Sequence, residues 1–181
     1  GLTAGFGGLS HLWGRRVRAR VGRRESLVIV GVSWLAAGIF GAIPFIIGAG
    51  LSPDDAFFES VSGFTTTGAT ILPVIEGTLD PALHLWRVAT HWLGGLGIVV
   101  LFVALFPAMG VGGKHLFRTE AAGPPSGGLA PRIRDTARAL WRIYLALTLV
   151  EVGLLMLAGM SPFESVVHSL STLGTGGFST R

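Results

Sequence analysis

Phe64-Thr65-Thr66-Thr67-Gly68-Ala69-Thr70 and Leu173-Gly174-Thr175-Gly176-Gly177-Phe178-Ser179 are one motif written twice. Upstream of each, past a short apolar stretch, stands Ser52-Pro53-Asp54-Asp55 in the first copy and Ser161-Pro162-Phe163-Glu164 in the second. The copies align without a gap at an offset of 109 residues, which pairs Ser52 with Ser161, Pro53 with Pro162, Thr66 with Thr175 and Gly68 with Gly177. A long apolar segment precedes each copy. The order is therefore hydrophobic span, short helix, Thr/Gly loop, an arrangement that brings bare backbone to an ion within a membrane.

Composition agrees. Of 181 residues, 50% are hydrophobic and 13% charged, with a mean hydropathy of +0.63 and a pI near 11.0. These values exclude an ordinary soluble domain. The basic residues stand in blocks between apolar runs rather than along one polar face, so they read as membrane topology and not as a nucleic-acid surface. The chain has no cysteine, which excludes disulfides and thiolate metal sites. It begins with Gly1 and ends at Arg181 just past the second loop, and it reads as a fragment of a longer protein.

Crossing a hydrocarbon core takes roughly 20 helical residues. Three stretches reach that length: Leu27 to Ile47, about Trp86 to Phe106 closed by Pro107, and about Leu140 to Met160. The opening GLTAGFGGL is a candidate tail of an earlier span. Arg15, Arg16, Arg18, Arg20, Arg23 and Arg24 precede the first span and assign that side to the cytoplasm. The stretch 48–85 carries Asp54, Asp55, Glu59, Glu76 and Asp80 without Lys or Arg, which suits the outside. Lys114, Arg118, Arg132, Arg134 and Arg138 return the connection 108–139 to the cytoplasmic side, where Gly123-Pro124-Pro125-Ser126-Gly127-Gly128 reads as a flexible linker.

Both Thr/Gly loops then lie on the outer side. Pro53 to Ser62 and Pro162 to Ser171 are too short to span and are predicted to be re-entrant helices. Each opens with Ser at the N-cap, Pro at the first helical position and an acid three residues after the cap. Entering from outside, each helix points its C-terminus at the bilayer midplane, and the partial negative charge there favours a cation. Unpaired loop backbone in lipid is tolerated only where it lines a cavity or binds something. Gly68, Gly176 and Gly177 permit backbone angles that turn carbonyls toward one axis, where they replace the hydration shell of K+ or Na+. The threonine hydroxyls add an oxygen or hold the loop.

Other features carry blander readings. Gly94-Gly95-Leu96-Gly97, inside a span, predicts close helix packing. Gly110-Val111-Gly112-Gly113-Lys114 follows a membrane helix, with His115 where a phosphate loop needs Ser or Thr, so it reads as a helix-end turn. Glu151, in the third span, is a functional candidate or a partner of Arg142. Glu59 and His168 occupy equivalent places and are expected to brace the loops. His11, His84, His91 and His115 have no metal spacing, and nothing assembles a nucleophile with a base. The Arg15–Arg24 cluster is expected to fix topology and touch anionic lipid.

At DAFFESVSGFTTTGAT (55–70), HWLGGLGIVVLFVALFPAMGVGGKHLFRTEAAGP (91–124), PRIRDTARALWRIYLALT (131–148) and HSLSTLGTGGFST (168–180) the chain resembles the TrkH branch of the Trk/Ktr/HKT superfamily of K+ transporters. The resemblance implies an all-α integral membrane protein, with a K+-channel-like pore of four helix–pore loop–helix repeats in one chain. On that reading 1–26 is a basic cytoplasmic segment, 27–107 the first repeat, 108–139 a cytoplasmic linker, and 140–181 the outer helix and pore loop of the second repeat. That makes about three membrane spans and two re-entrant pore loops.

The resemblance further implies that K+ is held at Thr66 and Thr67 before Gly68, and at Thr175 and Gly176 before Gly177. Two positions depart from the pattern. Gly174 stands where alanine is expected, which predicts a looser second loop, and His91 replaces a different polar residue. The family also implies K+ as the transported ion with no organic cofactor, no enzymatic chemistry, a homodimer, a cytoplasmic TrkA-type nucleotide-binding partner, and a bacterial or archaeal inner membrane. The docking face is expected to include the basic linker from Lys114 to Arg138. Two readings stand beside it: a non-conducting membrane scaffold or truncated remnant, and a secondary transporter of another cation. The second is disfavoured because inverted repeats would enter from opposite sides, whereas these enter from the same side.

Overall fold

The computed structural model describes residues 5, 7, 8, 23–73, 79–109 and 129–178. Helices α1 (Arg23–Ala49), α2 (Pro53–Phe64), α3 (Pro81–Met109), α4 (Leu129–Leu157) and α5 (Pro162–Leu173) follow one another, with no strand among the described residues. Each expected span corresponds to a helix of its own, but the boundaries move. α3 passes Pro107 and ends at Met109, and α2 and α5 run past Ser62 and Ser171 to Phe64 and Leu173.

The largest change is at α4. It begins at Leu129, inside the stretch assigned to the linker, and ends at Leu157 rather than Met160. Pro131 falls in its first turn, where a missing N–H costs nothing, and nothing after it breaks a helix. At the other end Gly159 takes φ 96. Its N–H reaches Met156 O at 3.0 Å and the Met160 N–H reaches Leu155 O at 3.1 Å, a left-handed glycine stop. Gly110–Lys114, the linker over 110–128, His11, His115 and the basic residues Arg15 to Arg20 lie outside the described residues.

Leu27–Ala49 and Asp135–Leu157 are long and apolar enough to cross a membrane, and only 17% and 6% of their most apolar windows are buried. The core helix of a soluble protein would be mostly covered. Here the pattern is reversed. Leu27, Val28, Val32, Leu35, Leu149 and Leu154 are exposed, while Glu59, Arg87, Thr90, His91, Ser165 and Ser169 are completely buried.

Helix α3 explains the polar interior, because it stands between two equivalent pairs. α1 packs on α2, α4 packs on α5, and α3 touches both pairs. Trp86 Nε1 donates to Gly41 O of α1 at 3.1 Å, and Trp92 Nε1 donates to Thr148 Oγ1 of α4 at 3.0 Å. Tyr144 Oη returns a bond to Trp92 O at 3.2 Å. The glycines at 94 and 95 are packing residues, as the sequence predicts. A Cβ on Gly94 would overlap the carbonyl of Phe64 at the end of α2, and one on Gly95 would lie 3.0 Å from Gly174 Cα at the end of α5. Adjacent residues on one helix thus admit the C-terminal ends of both short helices. Glu151 is half-buried, and among the described residues it makes no ion pair with Arg142, which is exposed. The two stand roughly 13 Å apart along the helix at about 1.5 Å per residue, too far to meet.

Candidate functional site: two matching Thr/Gly loops

Each short helix starts on its serine. Ser52 and Ser161 adopt φ −61, ψ 153 and φ −61, ψ 152. Each hydroxyl accepts from the backbone N–H three residues on, Asp55 in one case and Glu164 in the other, both at 3.3 Å. Each also donates to that acid, at 2.6 Å to Asp55 Oδ2 and 2.8 Å to Glu164 Oε2. At Ser161 the backbone N–H reaches Glu164 as well, completing a capping box. Such caps are worth about 1 kcal/mol each, and they hold the helix starts in the same pose.

The helix ends match bond for bond. In the first copy Thr65 N donates to Val61 O (2.8 Å), Thr66 N to Gly63 O (3.0 Å) and Thr67 N to Ser62 O (3.0 Å). In the second, Gly174 N donates to Leu170 O (3.2 Å), Thr175 N to Thr172 O (2.9 Å) and Gly176 N to Ser171 O (3.1 Å). Every donor and acceptor is shifted by the same 109 residues. This is the bond set of a Schellman stop, which requires a left-handed residue and usually takes glycine. Thr66 and Thr175 fill it at φ 57 and 53, the positive-φ non-glycines among the described residues. A left-handed L-residue costs about 1–2 kcal/mol, and more crowding follows from β-branching. The same stop at the end of α4 uses Gly159. Among the described residues this strain is found in the two Thr/Gly loops.

Gly68 and Gly177 add φ 74 and φ 81 two residues further on, while Thr67 and Gly176 between them keep φ out of the positive range. Alternation of hand along a strand turns successive carbonyls to the same side. Gly68 and Gly177 are thus left-handed glycines, and Gly176 is not. The loops also adjoin, for a Cβ on Gly68 would overlap the carbonyl oxygen of Gly176. The structure so brings Thr66, Thr67 and Gly68 beside Thr175, Gly176 and Gly177.

A buried polar frame stands behind the loops. Ser62 Oγ donates to Ala69 O at 2.6 Å. Glu59 Oε1 accepts from the Thr70 hydroxyl and from Ile71 N at 2.8 Å. Its Oε2 accepts from Arg87 Nε at 3.1 Å, with both side chains out of contact with solvent. Arg87 in turn lies over the ring of Phe178, 3.4 Å from its centroid, and His91 stacks on the same ring at 3.8 Å and 24°. The first loop is thus joined through Glu59 and Arg87 to the aromatic residue that follows the second.

Glu59 braces the first loop as expected. The residues 179–181, against which a matching brace from His168 would act, lie outside the described residues. The predicted looseness at Gly174 is absent. That residue is buried, and a Cβ there would stand 2.7 Å from His91 O and 3.0 Å from Leu170 O. Sequence reasoning passed over Arg87 and Phe178. A single arginine inside an apolar span was the available signal for the first; the second has no signal, because its role is defined by what α3 sets against it. No group of three or more His, Asp or Glu residues able to hold a metal is found among the described residues.

Comparison with known proteins gives the family. The model of the TrkH family, described as a cation transport protein, matches residues 6–181. The Trk system potassium uptake protein TrkH of Halomonas elongata is 46% identical over 184 residues, covering 100% of this chain and 38% of that protein. Its counterpart in Escherichia coli K12 is 44% identical over 177 residues, covering 95% and 36% respectively. The crystal structure of the potassium transporter TrkH from Vibrio parahaemolyticus matches with a TM-score of 0.76 at 40% identity, over 92% of this chain and 33% of that one. The chain therefore spans somewhat more than a third of the length of the curated relatives it matches. It belongs to the TrkH family of cation transport proteins.

Proposed function

We propose that this chain supplies two pore loops of a potassium uptake protein, and that K+ passes along the backbone carbonyls of Thr66, Thr67, Thr175 and Gly176, with Gly68 and Gly177 completing the loops. The observation that carries the reading is the duplicate loop geometry: the same three hydrogen bonds, the same left-handed threonine and glycine, and loops that touch at Gly68 and Gly176. A dehydrated K+ needs several oxygens at fixed positions, and rings of carbonyls provide them. Two loops make two quadrants of such a ring. The potassium uptake function in the names of the Halomonas and Escherichia relatives favours K+ as the ion.

On this reading α1, α3 and α4 cross the membrane, and α2 and α5 are re-entrant from the outer side, with their C-terminal dipoles aimed at the ion path. The bare apolar surfaces of α1 and α4 face lipid or further helices. The basic segments lie in the cytoplasm. The whole protein works as a homodimer in a bacterial or archaeal inner membrane, with a TrkA-type cytoplasmic partner. Transport of an ion involves no bond making, so the function is not enzymatic.

The test uses the full-length protein in a strain lacking its own K+ uptake. Gly68→Ser and Gly177→Ser should each lower K+ over Na+ discrimination by about tenfold or more, equivalent to about 1.4 kcal/mol. Gly68→Ser should be the more severe, because its side chain meets the second loop as well as the strained φ. Growth at low external K+ and Na+ exclusion both unchanged would sink the filter assignment.

A further inference from the structure

We propose that His91 is a positioning residue that sets the backbone of the second filter loop, and that position 176 is glycine because the imidazole occupies the space a side chain would need. The inference rests on the filter assignment. It begins from a difference between two otherwise matching loops. In the first, Thr65 and Thr67 carry side chains whose hydroxyls bond each other at 2.8 Å. Their equivalents are Gly174 and Gly176, so the second loop has no such internal tie. The space is filled from behind by one residue of α3. A Cβ on Gly176 would overlap Nδ1, Cγ and Cε1 of His91, and one on Gly174 would meet the His91 carbonyl oxygen at 2.7 Å.

Neither glycine is needed for its backbone angles, since 174 has φ −70 and 176 is not in the positive range. Their absence of side chain is what His91 requires. The ring is completely buried, held flat against Phe178, and neither nitrogen has a hydrogen-bond partner among the described residues. Burying unpaired polar atoms costs about 1–3 kcal/mol each, so an apolar ring would fill the same space more favourably. A histidine kept at that cost, with Nδ1 turned to the α-carbon of a filter residue, acts on the loop rather than on overall stability. It backs the second loop at Gly176 where the first loop has the Thr65–Thr67 hydroxyl pair.

The experiment measures K+ uptake, K+ over Na+ discrimination and membrane abundance for full-length variants. Gly176→Ala should lower discrimination by about tenfold at normal abundance, as expected for one misaligned carbonyl. In a His91→Ala background the added methyl has room, so the double variant should match His91→Ala alone within about twofold, the scatter of non-interacting pairs. Gly174→Ala meets main chain rather than the ring, so His91→Ala should not relieve it. If His91→Ala does not accumulate, His91→Ser is the second background. Gly176→Ala that is equally harmful with and without the imidazole overturns the proposal, as does His91→Ala with unchanged discrimination. Gly68→Ser, measured beside them, separates the levels: no effect there overturns the filter itself, whereas an effect there with an additive His91–Gly176 pair overturns only the role of His91.

Discussion

Threonine is a poor residue for the left-handed region, yet Thr66 and Thr175 hold it in both loops while glycine does so at the end of α4. Replacing them should separate stability from function. Thr66→Gly and Thr175→Gly remove about 1–2 kcal/mol of backbone strain each, so the melting temperature of the purified full-length protein should hold or rise. K+ over Na+ discrimination should nonetheless fall, because the hydroxyl and the rigidity of the threonine are lost; a glycine variant that keeps full discrimination would show that the threonines matter only as helix stops. Glu59 makes the opposite case. Removing one partner of a buried ion pair typically costs about 3–5 kcal/mol, because the other charge is left unpaired. Glu59→Gln strands the Arg87 guanidinium, whose two terminal nitrogens have no hydrogen-bond partner among the described residues. It should therefore lower the denaturation midpoint and loosen the first loop together; an unchanged midpoint would mean that Arg87 finds another acceptor. Threonine and glycine positions were legible in the sequence because they repeat. The Arg87–Phe178–His91 stack was not, because it joins residues that share no spacing.

At the scale of helices, the starts of the two short helices were the most legible boundaries. Ser-Pro-x-acid fixes a helix start by local bonds alone, and both caps form as the sequence predicts. Ends depend on what the chain meets next, so α2 and α5 run on to the left-handed threonines, and where no local cap is written a start moves too, as α4 does in reaching back to Leu129. The glycine pair of α3 shows how an element carries the site. Gly94→Ala pushes a methyl into the Phe64 carbonyl, and overpacking of this kind costs about 1–3 kcal/mol. Reduced thermal stability in detergent, with α3 displaced from α2, is the expected result; a stable variant with normal transport would mean that the contact is not tight in the full-length protein.

For the whole molecule, the repeat offset organises everything. Caps, helix stops and left-handed φ values recur after 109 residues, and α3 is the shared wall on which both copies rest. The polar interior and apolar exterior fit that plan, because loop backbone that no helix pairs needs buried hydrogen-bonding groups behind it. The direct test is to locate the ion. In crystals of the full-length protein grown with Rb+ in place of K+, anomalous scattering should give peaks on the path bordered by the carbonyls of Thr66, Thr67, Thr175 and Gly176, at carbonyl coordination distance. Peaks elsewhere, or none beside these four residues at saturating Rb+, would contradict the account.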